Sequence, residues 1–177
     1  LPTALMFAKN GIEVVGTDLN ENLVEELTKG KLGFEEPGLQ RLLEEAVKKS
    51  IRFSTKYQET DVYILTVPTP YLRNSKKIDT KYVISAVHRV LDVCKKGAIL
   101  VLESTVSPGT VEKFIRPEIL QRGFRPGEDI HLIHAPERII PGNMIHELVH
   151  NARTIGADDP IIANQVKELY ESFCQGE

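Results

Sequence analysis

The chain has no tryptophan, only two cysteines, and no apolar run longer than a buried strand. Crossing a bilayer takes roughly 20 apolar residues, so no membrane-spanning segment is predicted. Lys and Arg never stand more than two in a row and the net charge is −3, which argues against nucleic acid or anionic membrane as partners. Cys94 and Cys174 lack metal-like spacing and are predicted to be reduced thiols on two helices of a cytoplasmic protein.

The composition is that of one globular domain. The 177 residues are 41% hydrophobic and 27% charged, which excludes wholesale disorder and allows a substantial core. Strand-like and helical patterns alternate, and the runs GAILVL and IHLIHA have the apolar character of strands buried on both faces. These patterns predict an α/β fold with a doubly wound, mostly parallel, Rossmann-like sheet.

The apolar spacing predicts where the elements lie. Helices are predicted at residues 1–10, 20–29, 39–49, 79–96, 110–121 and from 159–160 onward. Strands are predicted at residues 12–17, 51–54, 61–67, 98–103, 130–135 and 153–156. The longest helix carries apolar residues at helical spacing, namely Val83, Ala86, Val87, Val90 and Leu91.

Two predicted strands run into polar loops, STVSPGT and HAPERIIPG. Ligands of parallel α/β sheets bind outside the carboxyl ends of the strands, so we expect these loops to line one side of an active-site cleft. The residues expected there are Glu103, Ser104, Thr105, Glu137 and Arg138. Helix capping is the alternative for Ser107, Pro108 and Thr110, because these residue types also begin helices.

Asp18 stands at the end of the first predicted strand, after a helix and Gly11. In a dinucleotide-binding βαβ unit, an acid at this position accepts hydrogen bonds from the ribose hydroxyls of an adenosine. No basic residue lies between Asp18 and Lys29 to neutralise a 2′-phosphate, which favours NAD over NADP. The chain carries no G-x-G-x-x-G turn, and the alternative is that Asp18 caps the helix that begins near Asn20.

A competing motif is HELVH at residues 146–150, which fits the H-E-x-x-H pattern of zinc hydrolases. The stretch is short, lying between Pro141-Gly142 and a predicted strand, whereas the helix of a zinc protease is long and buried. We therefore predict no metal site and keep a zinc hydrolase as the weaker alternative. A nucleotide-binding domain without catalytic activity is a third possibility.

Six segments occur in order along the chain: GTDLNENLVEEL, EEPGL, DVYILTVPTP, ESTVSPGT, HAPERIIPG and ELYESF. With them the chain resembles, over its whole length, the nucleotide-sugar 6-dehydrogenases of the UDP-glucose/GDP-mannose dehydrogenase family. APERIIPGN, VPTP and RTIG are most similar to the branch that oxidises UDP-N-acetyl-D-mannosamine. The UDP-glucose branch, which is the alternative, has an Asn-Pro-Glu-Phe-Leu type of motif where this chain has Ala135-Pro136-Glu137-Arg138.

The resemblance implies an enzyme that oxidises a sugar C6 alcohol twice, to a carboxylate, with two NAD and a covalent thioester. The cofactor-binding residues that it implies are Asp18, Val67, Pro68, Thr69, Ser104 and Thr105. It also implies catalytic roles for Thr105, which would help to hold the attacking water, and for Glu137, the acid near the reacting carbon. Arg138 would contact the substrate, with an ion pair to Glu137 or Glu147 as the alternative.

In the family, the nucleophilic cysteine lies in a C-terminal domain and the active-site lysine on a connecting helix. The resemblance therefore implies that residues 1–177 are a partial N-terminal NAD-binding domain, without the first strand, the glycine turn, the central helix and the C-terminal domain. Such a piece is expected to be inactive alone. The full-length enzyme is expected to bind a UDP-sugar and to form a homodimer or a higher homo-oligomer.

Overall fold

The computed structural model describes residues 1–74 and 77–176. Its helices are α1 (Pro2–Lys9), α2 (Glu21–Thr28), α3 (Leu39–Val47), α4 (Lys81–Leu91), α5 (Arg116–Gln121), α6 (Met144–His150) and α7 (Pro160–Glu171). Its strands are β1 (Val14–Thr17), β2 (Ile51–Ser54), β3 (Val62–Leu65), β4 (Tyr71–Leu72), β5 (Lys77–Ile78), β6 (Ala98–Leu102), β7 (Ile130–His134) and β8 (Gly156–Ala157). Among the described residues, no helix has both the length and the apolar character needed to cross a membrane.

These elements form two compact units. The first unit contains Leu1–Tyr57, Arg138–Ala152 and Glu168–Glu177, and the second contains Gln58–Glu137 and Arg153–Lys167. Strands pair in parallel in both units, so the prediction of an α/β fold with mostly parallel strands is confirmed. A single doubly wound sheet that continues a preceding strand and glycine turn stays a prediction.

In the first unit, β1 and β2 pair in parallel, with Val14 opposite Ile51. Gly16 lies opposite Phe53 in this pairing. A Cβ atom at this position would come within 2.6 Å of the Phe53 ring, closer than any ordinary contact. The side chain of Phe53 therefore occupies the space that a larger residue at position 16 would need.

The core of the first unit contains an aromatic cluster. The Phe7 ring packs edge-on against Phe173 at a centroid distance of 4.9 Å and lies 5.4 Å from the Tyr170 ring. All three side chains are buried. Edge-to-face rings add attraction to the free energy of burying so much apolar surface, so this cluster ties α1 to the end of α7.

In the second unit, the strand order is β3-β6-β7-β8, and the first three strands are parallel. Every residue of β6 is buried, as its unbroken apolar run predicts. The strand predicted at residues 153–156 is wrong in its limits, since β8 starts at Gly156 and runs antiparallel to β7. Arg153 instead directs its guanidinium into an ion-pair cluster, and Asp159 accepts the N–H of Ile161 at the start of α7.

Helix α4 buries the five apolar residues that were predicted to form its inner face. It is shorter than predicted, because Asp79 lies before it and accepts the N–H of Lys81, and the helix ends at Leu91. The helix predicted at residues 110–121 begins as a π-helical turn, Val111–Ile115, that runs directly into α5. Pro117 has no N–H and crowds the preceding turn of a regular helix, which explains the wider turn.

The hairpin of β4 and β5 was not predicted. Each strand has two described residues, and Tyr71 and Leu72 are both exposed. These strands are so short and exposed that they show no alternation of buried and exposed residues, which is the signal that a sequence pattern could reveal.

We expect Phe7→Ala to lower the free energy of unfolding by about 3–5 kcal/mol, because it removes a buried ring and leaves a cavity. Phe34→Ala is the matched control, since Phe34 is 48% exposed, and its effect should stay within about 0.5 kcal/mol. Urea unfolding of the two variants and the parent chain measures both values. Equal losses for the two substitutions would contradict the assignment of Phe7 to the core.

Candidate functional site

The loops that follow β3, β6 and β7 begin at one edge of the sheet in the second unit. The hydrogen-bond ladder continues past the strands, as Glu103 N donates to Leu65 O at 2.9 Å. On the other side, Ala135 N donates to Leu102 O at 3.0 Å and Glu137 N donates to Glu103 O at 3.1 Å. Backbone hydrogen bonds therefore fix the last residue of β3 and the first residues of the loops after β6 and β7.

Two hydroxyl groups connect the loop after β3 to the loop after β6. Ser104 Oγ donates to Val67 O at 2.7 Å, and Thr69 Oγ1 donates to Thr105 O at 2.8 Å. Ser104 is buried and Val67 half-buried, whereas Pro68 and the side chain of Thr105 are exposed. The hydroxyls of Ser104 and Thr69 thus hold the two loops together, and Thr105 and Pro68 face solvent.

Three charged side chains form a cluster at the same edge, which we call the acid–arginine cluster: Glu103, Arg153 and Glu137. Arg153 Nη1 donates to Glu103 Oε1 at 2.8 Å, and Arg153 Nη2 donates to Glu137 Oε2. The side chain of Glu103 is 1% exposed, that of Arg153 8% and that of Glu137 19%. One guanidinium fork therefore joins a fully buried carboxylate to one at the edge of the surface.

The sequence analysis did not predict Arg153 as a site residue and placed it at the start of a predicted strand. The sequence held only an indirect signal for its role. Two acids expected at neighbouring strand ends need a cation if either is buried, because an unpaired buried carboxylate is costly. The local pattern around residue 153 does not say which cation that is.

Asp18 belongs to the first unit and lies directly after β1, on the exposed surface. Its Oδ1 accepts the N–H of Asn20 at 2.9 Å. The alternative that Asp18 caps α2 is wrong, because the cap residue is Asn20, whose Oδ1 accepts Leu23 N at 3.2 Å. An exposed carboxylate at the carboxyl end of a parallel strand has the position and chemistry to accept hydrogen bonds from a ribose diol.

Arg138 also belongs to the first unit, where its Nη2 donates to Ala152 O at 3.2 Å. The two acids considered as its ion-pair partners also have contacts of their own. Glu137 binds Arg153, and Glu147 Oε2 accepts Ile140 N at 2.8 Å. Both the substrate contact of Arg138 and the alternative ion pair therefore stay predictions.

Glu36, from the EEPGL segment, was not singled out in the sequence, yet it organises the loop that carries Arg138. Its carboxylate is buried and accepts Gly142 N at 2.7 Å and Met144 N at 2.9 Å. Met144 is the first residue of α6, so the carboxylate also faces the positive end of that helix. The chain before α6 is thus attached to a residue far earlier in the sequence.

The structure tests, for Thr110, the alternative that residues of the STVSPGT loop cap a helix. Thr110 is the buried residue before the π-helical turn, and its Oγ1 donates to Ser107 O at 2.7 Å. This hydroxyl closes the loop back on itself instead of binding an N–H of the helix that follows. Thr110 therefore has a structural role in the turn, whereas Ser107 and Pro108 are exposed.

The HELVH segment forms α6, a helix of seven residues. Its two imidazole rings stack at a centroid distance of 4.1 Å, and His150 Nδ1 lies 2.8 Å from His146 O. Glu147 between them is held by Ile140 N. Within residues 1–74 and 77–176, no group of three or more His, Cys, Asp or Glu side chains is arranged to hold a metal ion.

Both cysteines were expected on helices and both lie just past helix ends. Cys94 follows α4, and its partial burial raises the pKa of the thiol. Cys174 follows α7, is buried, and has its Sγ 3.4 Å from Asn151 O. The setting of Cys94 therefore disfavours its thiolate.

Comparison with known proteins identifies the family. Residues 1–174 match the NAD binding domain of the UDP-glucose/GDP-mannose dehydrogenase family. The chain belongs to this family. The prediction from the sequence motifs is confirmed, as is NAD as the cofactor of the domain.

Relatives within the family are similar over nearly all of the chain. The UDP-N-acetyl-D-mannosamine dehydrogenase of Methanococcus maripaludis strain C7 is 42% identical over 180 residues, covering 99% of this chain and 40% of the relative. The solved UDP-N-acetyl-mannosamine dehydrogenase of Staphylococcus aureus has a TM-score of 0.92 at 40% identity, covering 99% of this chain and 43% of that one. The Pyrococcus horikoshii structure gives 0.92 at 36% identity, with 99% and 43% covered. The chain thus spans about 40% of the length of the relatives that it matches.

Proposed function

We propose that this domain is the cofactor-binding part of a UDP-sugar 6-dehydrogenase whose substrate is UDP-N-acetyl-D-mannosamine. The reaction oxidises the C6 alcohol of the sugar to the aldehyde and then to the carboxylate. The observation that carries the proposal is the edge of the second unit, where a partly exposed acid, Glu137, is fixed beside the hydroxyl-bearing loop of Thr105. The similarity to UDP-N-acetyl-D-mannosamine dehydrogenases favours this sugar over UDP-glucose.

Each unit, taken by itself, carries residues with the chemistry to contact NAD. NAD, when bound, accepts the hydride of each oxidation step. Asp18 binds the adenosine ribose hydroxyls, since its carboxylate is exposed and is not used to cap α2. Val67, Pro68 and Thr69 border the pyrophosphate and ribose, and Ser104 fixes the neighbouring loop by its bond to Val67.

Glu137 and Thr105 serve the hydrolytic half of the reaction. The Thr105 hydroxyl, which is exposed, helps to hold a water molecule, and the Glu137 carboxylate takes up a proton from that water as it attacks the thioester. Arg138 contacts the phosphate or the amide-bearing sugar of the substrate. The nucleophilic cysteine and the active-site lysine are supplied by residues outside these 177. The enzyme works as a homo-oligomer in the cytoplasm.

The first test concerns cofactor choice. In the full-length enzyme, Asp18→Ala should raise the KM for NAD about 10-fold or more, because each hydrogen bond to a charged group contributes about 1.5–3 kcal/mol. Glu21→Ala is the matched control, since it removes an equal charge from the exposed first turn of α2 and should leave this KM nearly unchanged. Steady-state kinetics with NAD and NADP measure both. Equal kinetics of the parent enzyme with the two cofactors would refute the role of Asp18.

The second test separates the two halves of the reaction. Glu137→Gln in the full-length enzyme should leave hydride transfer largely intact and slow the release of the acid, because the amide does not take up the proton of the attacking water. Stopped-flow absorbance should then show a burst of about two NADH per active site, because both hydride transfers precede hydrolysis, followed by a slow steady state. Glu128→Gln removes an exposed acid of the same unit and should show no burst. A Glu137→Gln enzyme with the parent's steady state would rule out this role.

The third test uses residues 1–177 alone, which we expect to form no NADH in a sustained reaction with UDP-N-acetyl-D-mannosamine or UDP-glucose. Oxidation to the acid needs a thiolate that traps the aldehyde. Burial raises the pKa of Cys94, and Cys174 is itself buried. Absorbance at the NADH band measures turnover, with the full-length enzyme as the positive control. Turnover that depends on either thiol would show that the nucleophile lies within these residues.

A further inference from the structure

We propose that Arg153 is a positioning residue for the hydrolytic step and that Glu103 anchors it. The proposal rests on the proposed function, because it assigns Arg153 an effect through Glu137. Arg153 holds the Glu137 carboxylate in one orientation, while Glu103 binds the same guanidinium and keeps it in place. The orientation of the acid that acts on the thioester is therefore fixed by two residues that do not touch the substrate.

The backbone brings the three residues together before any side chain is considered. Glu103 follows β6 and Glu137 follows β7, and these parallel strands are in register up to Leu102 opposite His134. Glu137 N donates to Glu103 O, so the two acids start from hydrogen-bonded peptide groups. Arg153 is placed from the other side by β8, where Gly156 pairs with His134.

The burial of the side chains distinguishes their roles. The side chain of Glu103 is 1% exposed and that of Arg153 8%, so neither has the exposure expected of a group that binds substrate. Glu137 keeps 19% of its side chain exposed and is the member that reaches the surface. A planar guanidinium has two N–H edges in fixed geometry, so a single Arg153 rotamer satisfies both carboxylates and orients the exposed one.

Charge also holds the cluster together. A buried carboxylate without a cation is costly, so the buried Glu103 keeps the guanidinium of Arg153 in place. Arg153, from the segment before β8, in turn binds the Oε2 atom of Glu137.

The test uses the full-length enzyme and the steady-state rate at saturating substrates. Arg153→Gln should lower this rate, because the Glu137 carboxylate loses the guanidinium that orients it. Glu103→Gln should lower the rate less, because the amide oxygen still accepts from Arg153. Arg153→Lys should give an intermediate loss, because a compact ammonium does not span both carboxylates as the fork does.

Misplacement of Glu137 should lower the steady-state rate by up to about 100-fold in Arg153→Gln, with a burst of NADH like that of Glu137→Gln and a KM for NAD that changes little. In the Glu137→Gln background, the same substitution should add almost nothing, because it acts through the residue already removed. Rescue of part of the rate by Arg153→Lys, but not by Arg153→Gln, completes the expected result.

Each failure has a different meaning. If Glu137→Gln has the parent's steady state, the proposed function of Glu137 fails and this inference fails with it. If Glu137→Gln behaves as expected but the Arg153 variants add to it in full, or show no burst of NADH, only the inference is overturned. Should Arg153→Gln fail to fold, since it leaves Glu103 buried without its cation, Arg153→Lys decides alone: a steady-state rate equal to that of the parent overturns the proposal.

Discussion

The parallel pairing of β6 on both of its edges is the constraint on which the candidate site depends. Leu102 stands opposite Leu65 on one side and His134 on the other, and all of β6 is buried. A slip of one residue would turn every side chain of the strand to the opposite face. Glu103 would then be carried away from Arg153 and left as an unpaired charge in the interior, which costs several kcal/mol. The register of β6 therefore favours the ion pair of Glu103 with Arg153, and the ion pair favours that register.

The site combines two kinds of attachment with different consequences. The neutral hydroxyl groups of Ser104 and Thr69 each donate to a backbone carbonyl of the other loop. They fix the shape of the two loops without adding a charge. The acid–arginine cluster fixes charge as well, and it holds its most exposed acid where the loops open to solvent. Thr105 is exposed because its neighbours make the structural bonds. Some residues of these loops thus keep them rigid, and other residues of the same loops remain accessible to solvent.

The sequence predicts well what depends on local periodicity. The buried run of β6 and the inner face of α4 follow from it directly, and Asp18 was expected at the end of β1, where it lies. The sequence pattern does not tell which of Asp18 and Asn20 caps α2, because Asp and Asn side chains can both accept the N–H groups at the start of a helix. Arg153 escaped prediction because its partners are 50 and 16 residues away, and no local pattern encodes a contact at such separation.

Glu36 accepts backbone N–H groups that lie 106 and 108 residues later in the chain. The first unit is assembled from three separate stretches of sequence, whereas β3, β6 and β7 all occur within the single stretch Gln58–Glu137. A ribosome releases the chain in order, so the three parallel strands of the second unit emerge before the loop that Glu36 binds. During that interval the Glu36 carboxylate is hydrated and has no helix end to face. The first unit is therefore the part of this domain that a newly made chain completes last.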